Sequence, residues 1–209
     1  MKVSLRVTIL TAITASAVLI GCGKKDESVT PSPITAEFTD VRDGKVYKIV
    51  SIGSQIWMAE NLNYDIPDDT SDVCYENSAE NCAKYGRLYT WDAASVACPD
   101  GYHLPSNDEW DTLDDYVGGD VTTKLKSASG WKRYKLKSGN GTDEYGFSAL
   151  PGGYYDSGDG FKHAGGSGDW WSATNYISRT ILPCVYCGPS YMRPGNARKF
   201  SVRCVQDAP

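Results

Sequence analysis

Apolar residues recur at helical spacing in one stretch of the chain and at strand spacing on either side of it. Between Tyr85 and Val117, Trp91, Ala94 and Cys98 fall at i, i+3 and i+7. This predicts a helix starting near Thr90 or Asp92 with those three residues on its buried face. Pro99 and Gly101 stop it. Ser106 followed three residues later by Glu109 is a capping box, in which the serine side chain takes an orphan backbone N–H and the glutamate reaches back to the cap. A second helix therefore begins there, turns Trp110, Leu113 and Val117 inward, and ends at Gly118 and Gly119, where left-handed backbone costs little. A short helix from Val121 to Leu125, ended by Gly130 and Trp131, follows. Elsewhere the period is two. Val46, Lys48 and Val50 alternate with Tyr47, Ile49 and Ser51, which predicts a strand, and Gln55 to Ala59 predicts its partner across a Gly53-Ser54 turn. Phe147 to Leu150, Asp169 to Ala173 and Lys199 to Val205 read as further strands, with Phe200, Val202 and Cys204 on one face of the last. The expected class is α+β, with two helices packed on a small, mostly antiparallel sheet. The 21 Gly and 10 Pro, with 14 Tyr and 6 Trp against only 4 Phe, add many turns and long aromatic loops.

The N-terminus bears on location. Lys2 and Arg6 precede an apolar run from Val7 to Ile20, which is shorter than the roughly 20 residues of a membrane-spanning helix. It reads as a signal-peptide core, residues 1–21. Leu19-Ile20-Gly21-Cys22 is similar to the bacterial lipobox, which implies cleavage before Cys22 and acylation of its sulfur. At about 0.8 kcal/mol per buried methylene, two or three acyl chains hold a protein stably on a membrane. Residues 22–37 lack large apolar side chains apart from Ile34, contain Pro31 and Pro33, and read as a solvated tether. Within it Lys24, Lys25, Asp26 and Glu27 are similar to signals that send lipoproteins to the cell surface, and are equally consistent with a plain polar spacer. Residues 38–207 have the length of one domain. Loss of Lys2 and Arg6 with the signal takes the formal charge from -5 to -5 - 2 = -7. So acidic a chain is a poor partner for nucleic acid. The expected location is the bacterial outer membrane or cell surface.

Setting Cys22 aside leaves 6 of the 7 cysteines, an even number in a chain expected to leave the reducing cytoplasm. Six cysteines allow 15 pairings. Cys74 and Cys82 bracket the polar loop YENSAEN and would close a small ring. Cys98 and Cys204 both face inward by periodicity, so a bond between them would tie the first helix to the last strand. Cys184 and Cys187 remain, at redox spacing. No helical pattern follows Cys187, and Pro183 and Gly188-Pro189 flank the pair. A local disulfide, half of a metal site and a redox pair all stay open there.

The segments SQIWMAENLNY (54–64), YGRLYTW (85–91), ACPDGYHLPS (97–106), DEYGFSALPGG (143–153), WWS (170–172) and FSVRCV (200–205) resemble the Fibrobacter succinogenes major paralogous domain. The resemblance spans nearly all of the chain beyond Phe38 and implies a secreted or surface lipoprotein with no agreed molecular activity. The order of helix, cysteine, second helix and terminal strand with cysteine also resembles C-type-lectin-like domains, which independently implies the pairing of Cys98 with Cys204. Residues 179–198 depart from the family pattern and read as a local insertion.

Chemistry is sparse. His103 and His163 are the only histidines and neither sits in a nucleophile–base pattern, so no catalytic residue is singled out. The Glu-Pro-Asn and Trp-Asn-Asp calcium motifs of sugar-binding lectins are missing. Asn140, Asp143 and Glu144 have the composition of a polar turn as much as of a cation site. The expectation is no metal and no cofactor. His103 to Trp110 also resembles a stretch of formylglycine-generating enzymes, whose oxidative cysteine site is not reproduced. A copper or thiol oxidoreductase using Cys184 and Cys187 is the alternative of a different class, and a purely structural envelope protein is the third reading. The expected role is non-catalytic binding of polysaccharide or an envelope protein through the aromatic loops. Tyr154, Tyr155, Trp170 and Trp171 are the aromatic candidates, and Asp156, Asp159 and Asp169 are the hydroxyl-accepting carboxylates beside them. Because adjacent strand residues face opposite sides, one of Trp170 and Trp171 is expected to be exposed unless a loop covers it.

Overall fold

The computed structural model describes residues 35–68, 70–174, 177–181, 190–192 and 198–208, with the backbone alone for 190–192. The signal peptide, Cys22, most of the tether, Cys184 and Cys187 therefore lie outside the described residues. The described part falls within a compact unit, Ser32–Pro209. None of its helices is long and apolar enough to cross a membrane.

In chain order the early strands are β1 (Thr35–Thr39), β2 (Val46–Ile52), β3 (Gln55–Met58), β4 (Asp72–Val73), β5 (Leu88–Tyr89) and β6 (Tyr102–His103). The later ones are β7 (Tyr154–Asp156), β8 (Gly160–Lys162), β9 (Gly168–Ser172), β10 (Ile177–Ile181), β11 (Ser190–Met192), β12 (Arg198–Ser201) and β13 (Val205–Gln206). The helices are α1 (Ala79–Tyr85), α2 (Trp91–Ala97), α3 (Asn107–Val117) and α4 (Val121–Leu125). Strands β1, β2, β3, β13 and β6 form an antiparallel sheet in that order. A second sheet runs β11, β10, β9, β12, β5, β4, with the β7–β8 hairpin paired to β12. It is antiparallel apart from a parallel pairing of β12 with β9 at Ser201 and Trp170. The architecture is α+β.

Local chemistry accounts for the elements that patterning predicts. Ile52 pairs with Gln55 across Gly53-Ser54, and Gly53 takes φ +61 against the ring of Tyr116, where an added Cβ would come within 2.8 Å. The Ser106 hydroxyl accepts the backbone N–H of Glu109 while the Glu109 carboxylate accepts the backbone N–H of Ser106, so both arms of the capping box are made. Trp110, Leu113 and Val117 are buried as the period requires. Helix α2 is capped by Thr90 but ends one residue early. Its buried face is Ala93, Ala94 and Ala97, and Cys98 is its extended C-cap.

Alternate strand residues feed two separate cores. On β3, Trp57 packs with Val50, Trp110, Leu113, Phe147 and Trp170. Its neighbour Met58 faces the other way, into Tyr47, Tyr89, Ala94, Trp171 and Phe200. The same alternation splits Trp170 from Trp171 on β9. Each sheet is covered on both faces at these points.

Three expectations change. Phe147 to Leu150 is not a strand but an irregular segment with one bridge, Lys126 to Ala149. The predicted last strand is divided: β12 lies in the second sheet and β13 in the first. Between them the backbone carbonyls of Val202 and Cys204 accept N–H groups of Leu62 and Met58, so the crossing stays hydrogen-bonded. Phe200, Val202 and Cys204 nevertheless share one core, as their alternation requires. The loop between Cys74 and Cys82 holds a 3-10 turn and the first half of α1, capped by Ser78.

Two disulfides are present, Cys74–Cys82 and Cys98–Cys204, as expected. Their sequence separations of 8 and 106 fix their relative weight. In the chain-entropy account the short ring restricts the unfolded state by about 2–3 kcal/mol and the long one by about 4–5 kcal/mol. Urea denaturation of the Cys98→Ala/Cys204→Ala double variant is expected to show roughly twice the stability loss of Cys74→Ala/Cys82→Ala. Equal losses would contradict the idea that the long bridge sets the stability of the fold.

Candidate binding site

Strands β7 and β8 pair in register, Tyr154 with Lys162, Tyr155 with Phe161 and Asp156 with Gly160. Asp156 opens the turn by accepting the Gly158 N–H at 3.0 Å, and Asp159 lies exposed within it. The two tyrosines point to opposite sides. Tyr154 meets Phe200 edge-on at 5.5 Å and lies 5.6 Å from His163. Tyr155 meets Phe161 at a tilt, with ring centroids 5.0 Å apart, and Phe161 in turn lies 5.1 Å from Tyr75. Two cations from β12 close over them. The Arg198 guanidinium sits 5.0 Å from the Tyr154 ring and its Nε donates to Asp156 at 2.8 Å. That bond, reinforced by the Gly158 N–H, holds the Asp156 carboxyl below its usual range. Lys199 lies 5.7 Å from the Tyr155 ring, and burial lowers its pKa.

Beside this hairpin is a pocket of about 250 Å³ lined by Thr70, Ser71, Thr90, Trp91, Asp92, Trp171 and Arg198. Four segments converge there: the loop before β4 with Thr70 and Ser71, the start of α2, β9 with Trp171, and β12. Thr90 caps α2, the next two residues open the helix, and Arg198 reaches in from the start of β12. Trp91 is only half-buried and its indole N–H donates to the Ser172 carbonyl at 2.9 Å, which fixes the ring plane at the rim. Aromatic surface, hydroxyls and both signs of charge therefore meet in one concavity, a donor and acceptor set suited to a polyhydroxylated ligand.

The residues singled out in the sequence divide into two groups. Tyr154, Tyr155 and Asp156 are half-buried on the hairpin, with Asp159 at its tip. Asp169, Trp170 and Trp171 are buried. The exposure expected of one tryptophan is not found, because β9 is interior to its sheet with a core on each face. Trp170 donates its indole N–H to Asn61 at 2.8 Å, and Trp171 donates to the Tyr89 carbonyl at 2.6 Å, forming the pocket floor. Burial raises the Asp169 pKa, and its oxygens accept from Ser167 and Thr180 hydroxyls at 2.6 and 2.7 Å. Trp91, placed in the core by its helical spacing, packs against the second core but stays half-buried, with the rest of its surface lining the pocket. Arg198, Asp92 and the Thr70-Ser71 pair carried no periodic or motif signal.

Other polar groups are taken up by the fold. The Asp143 carboxylate accepts from the Ser148 backbone and hydroxyl, and Asn140 accepts the Trp131 N–H at 3.0 Å, so both knit the turn before Phe147. Among the described residues, no group of three or more His, Cys, Asp and Glu side chains is placed to hold a metal. The copper or thiol alternative depends on Cys184 and Cys187, which are outside those residues.

The family model described as the Fibrobacter succinogenes major domain matches residues 50–206, from the middle of β2 to the end of β13. No curated protein and no solved structure matches the chain.

A second polar cluster lies away from the pocket. His103 on β6 bridges Glu109 of α3 and Asp207 after β13, at 2.6 Å on each ring nitrogen. Burial alone would lower the imidazole pKa, but the hydrogen bonds to Asp207 and Glu109 outweigh it and raise the pKa above the ordinary 6.5. For Glu109 burial is likewise outweighed, by Ser106 and His103, and its pKa stands below the ordinary 4.5. The raised histidine contributes stability that is complete below about pH 6.5 and is lost as pH rises through its folded value. The depressed glutamate contributes stability present above about pH 4.5 and lost as pH falls. The cluster thus favours the fold most between these limits. His103→Gln is expected to flatten the alkaline fall in thermal stability, by under about 1 kcal/mol because the group is partly exposed. An unchanged pH profile in that variant would refute the ion-pair assignment.

Proposed function

We propose that this chain, which belongs to the Fibrobacter succinogenes major domain family, is an exported, lipid-anchored, non-catalytic surface protein that binds envelope polysaccharide. Its anchor would be Cys22, at the end of the apolar run that closes the signal sequence. The fold reading that accompanies this is C-type-lectin-like, and the Cys98–Cys204 bond between α2 and the chain's return to the first sheet supports it. One observation carries the binding reading: Trp91, Asp92, Arg198 and three hydroxyl residues converge in a single pocket beside the tyrosine hairpin. An aromatic face takes the apolar side of a sugar ring, while the carboxylate, guanidinium and hydroxyls exchange hydrogen bonds with its hydroxyls. At about 250 Å³ the pocket is smaller than the ~300–1,000 Å³ that encloses a drug-sized ligand. It suits one residue or one chain end, with Tyr154 and Tyr155 extending the contact.

A test pairs anchoring with binding. In cells fed an alkyne-labelled fatty acid, the wild-type chain is expected in the membrane fraction with label, and Cys22→Ala without it. In pull-downs of the Ser32–Pro209 unit with polysaccharide from the cell envelope, Trp91→Ala is expected to weaken retention at least about tenfold, equivalent to about 1.4 kcal/mol. Label on Cys22→Ala would rule out the anchor, and equal retention by wild type and Trp91→Ala would rule out the pocket.

A further inference from the structure

We propose that the hairpin tip at residues 131–137 is a docking surface for an anionic, phosphate-bearing lipid bilayer. The charge distribution sets it apart. Residues 121–142 contain Lys124, Lys126, Lys132, Arg133, Lys135 and Lys137 and no acidic residue, in a chain with 26 acids and a net charge of -5. Lys126 is buried, with its ammonium on the Gly139 carbonyl, and Lys124 is tied to the carbonyls of Val117 and Gly118. The other four belong to the tip, where residues 132–138 are all exposed.

The backbone there is unusual. Tyr134 and Lys137 exchange N–H and carbonyl bonds at 3.0 Å, leaving Lys135 and Leu136 as a two-residue turn with φ +43 and +69. Positive φ at both central positions normally selects Asn-Gly, because a Cβ is strained in that region. This turn instead holds a lysine and a leucine. Leu136 is 88% exposed and Tyr134 is 43% exposed. Arg133 donates to the Leu136 carbonyl at 2.6 Å and Lys135 lies 5.3 Å from the Tyr134 ring, so the tip is ordered with its apolar side chain outward. Its root is rigid: the buried Trp131 donates its indole N–H to Ser127 and to the Ala149 carbonyl, and the Lys132 N–H bonds the Gly165 carbonyl at 2.7 Å.

The Tyr134–Lys137 and Arg133–Leu136 bonds hold the turn in its strained form, but the Leu136 side chain gains no burial within the fold, and we assign its complement to a surface outside the domain. A soluble polyanion would pair with the four cations but has no place for Leu136. A bilayer interface supplies both, anionic phosphates at the height of the lysines and acyl chains below for Leu136, with Tyr134 at the boundary. Each cation near such a surface contributes about fivefold in partitioning, and the effect is screened by salt. The tip is separate from the Trp91 pocket, and the inference does not depend on the polysaccharide reading or on the acyl anchor.

Sedimentation of the Ser32–Pro209 unit with vesicles tests it. Retention is expected on vesicles of phosphatidylglycerol with phosphatidylcholine, not on phosphatidylcholine alone, and should fall as salt rises. The variant Lys135→Asn/Leu136→Gly suits the turn better. It is therefore expected to melt at or above the wild-type temperature while partitioning falls at least about tenfold. Equal partitioning by this variant, equal binding to uncharged vesicles, or binding to soluble polyphosphate without binding to vesicles would each overturn the proposal.

Discussion

The guanidinium of Arg203 is fully buried, and no ion pair to a carboxylate forms there among the described residues. Taking such a cation out of water costs several kcal/mol unless the interior replaces its hydration. Here neutral oxygens do so. Nε and Nη2 donate to Asn61 Oδ1 at 3.0 and 2.7 Å, Nη1 donates to the carbonyls of Phe147 and Met58 at 2.6 and 3.1 Å, and the group lies 4.6 Å from the Phe147 ring. Burial pulls its pKa down to about 9, which still leaves it protonated at neutral pH. Asn61 completes the hub by accepting the Trp170 indole N–H and donating to the Tyr85 carbonyl. Arg203 and Asn61 together thereby tie β3, the end of α1, β9, the Phe147 segment and the final crossover between sheets. Among the described residues the other fully buried arginine, Arg179, is paired with Asp114 instead. Loss of Arg203 would thus take a donor from Asn61 Oδ1 and from the Met58 and Phe147 carbonyls at once.

Rigidity of this kind is what a surface-binding module needs. The second core and the Cys98–Cys204 bond at the end of α2 hold α2 and β12, whose first residues carry Trp91, Asp92 and Arg198 to the pocket. Preorganisation reduces the ordering cost of binding, so a small pocket with few groups is useful only on a stiff frame. The tyrosine hairpin pairs with β12 and is bridged to β9 at its base, Gly153 to Gly168, which leaves its tip the more adjustable part of the site.

Much of the frame was legible because it follows local rules. The capping box at Ser106, the Gly53-Ser54 hairpin and the inward set Trp110, Leu113 and Val117 need only neighbours within a few residues. The disulfides were legible because parity and periodicity left few sensible partners for Cys98 and Cys204. What failed depended on distant parts of the chain. Alternation showed that Trp170 and Trp171 face opposite ways but could not show that both faces are covered. The continuous apolar pattern from Lys199 to Val205 hid the fact that β12 and β13 belong to different sheets. Asn61 and Arg203, 142 residues apart, are ordinary polar residues until the fold brings them together. The pocket is similar: Thr70, Trp91 and Arg198 share no spacing, and the helical phase that sets Trp91 against the core with Ala94 does not show that it also lines a pocket.

If Arg203 and Asn61 hold the two cores together, the hub opens only when the whole domain unfolds. Native-state hydrogen exchange at the Trp170 indole N–H, followed by NMR across a urea series, reports this directly. The expected exchange free energy equals that of global unfolding, with the same urea dependence, while the β7–β8 amides exchange through smaller openings. Exchange of the Trp170 indole at a lower free energy and without urea dependence would show the hub opening locally, and would contradict the claim that Arg203 and Asn61 hold the two cores together.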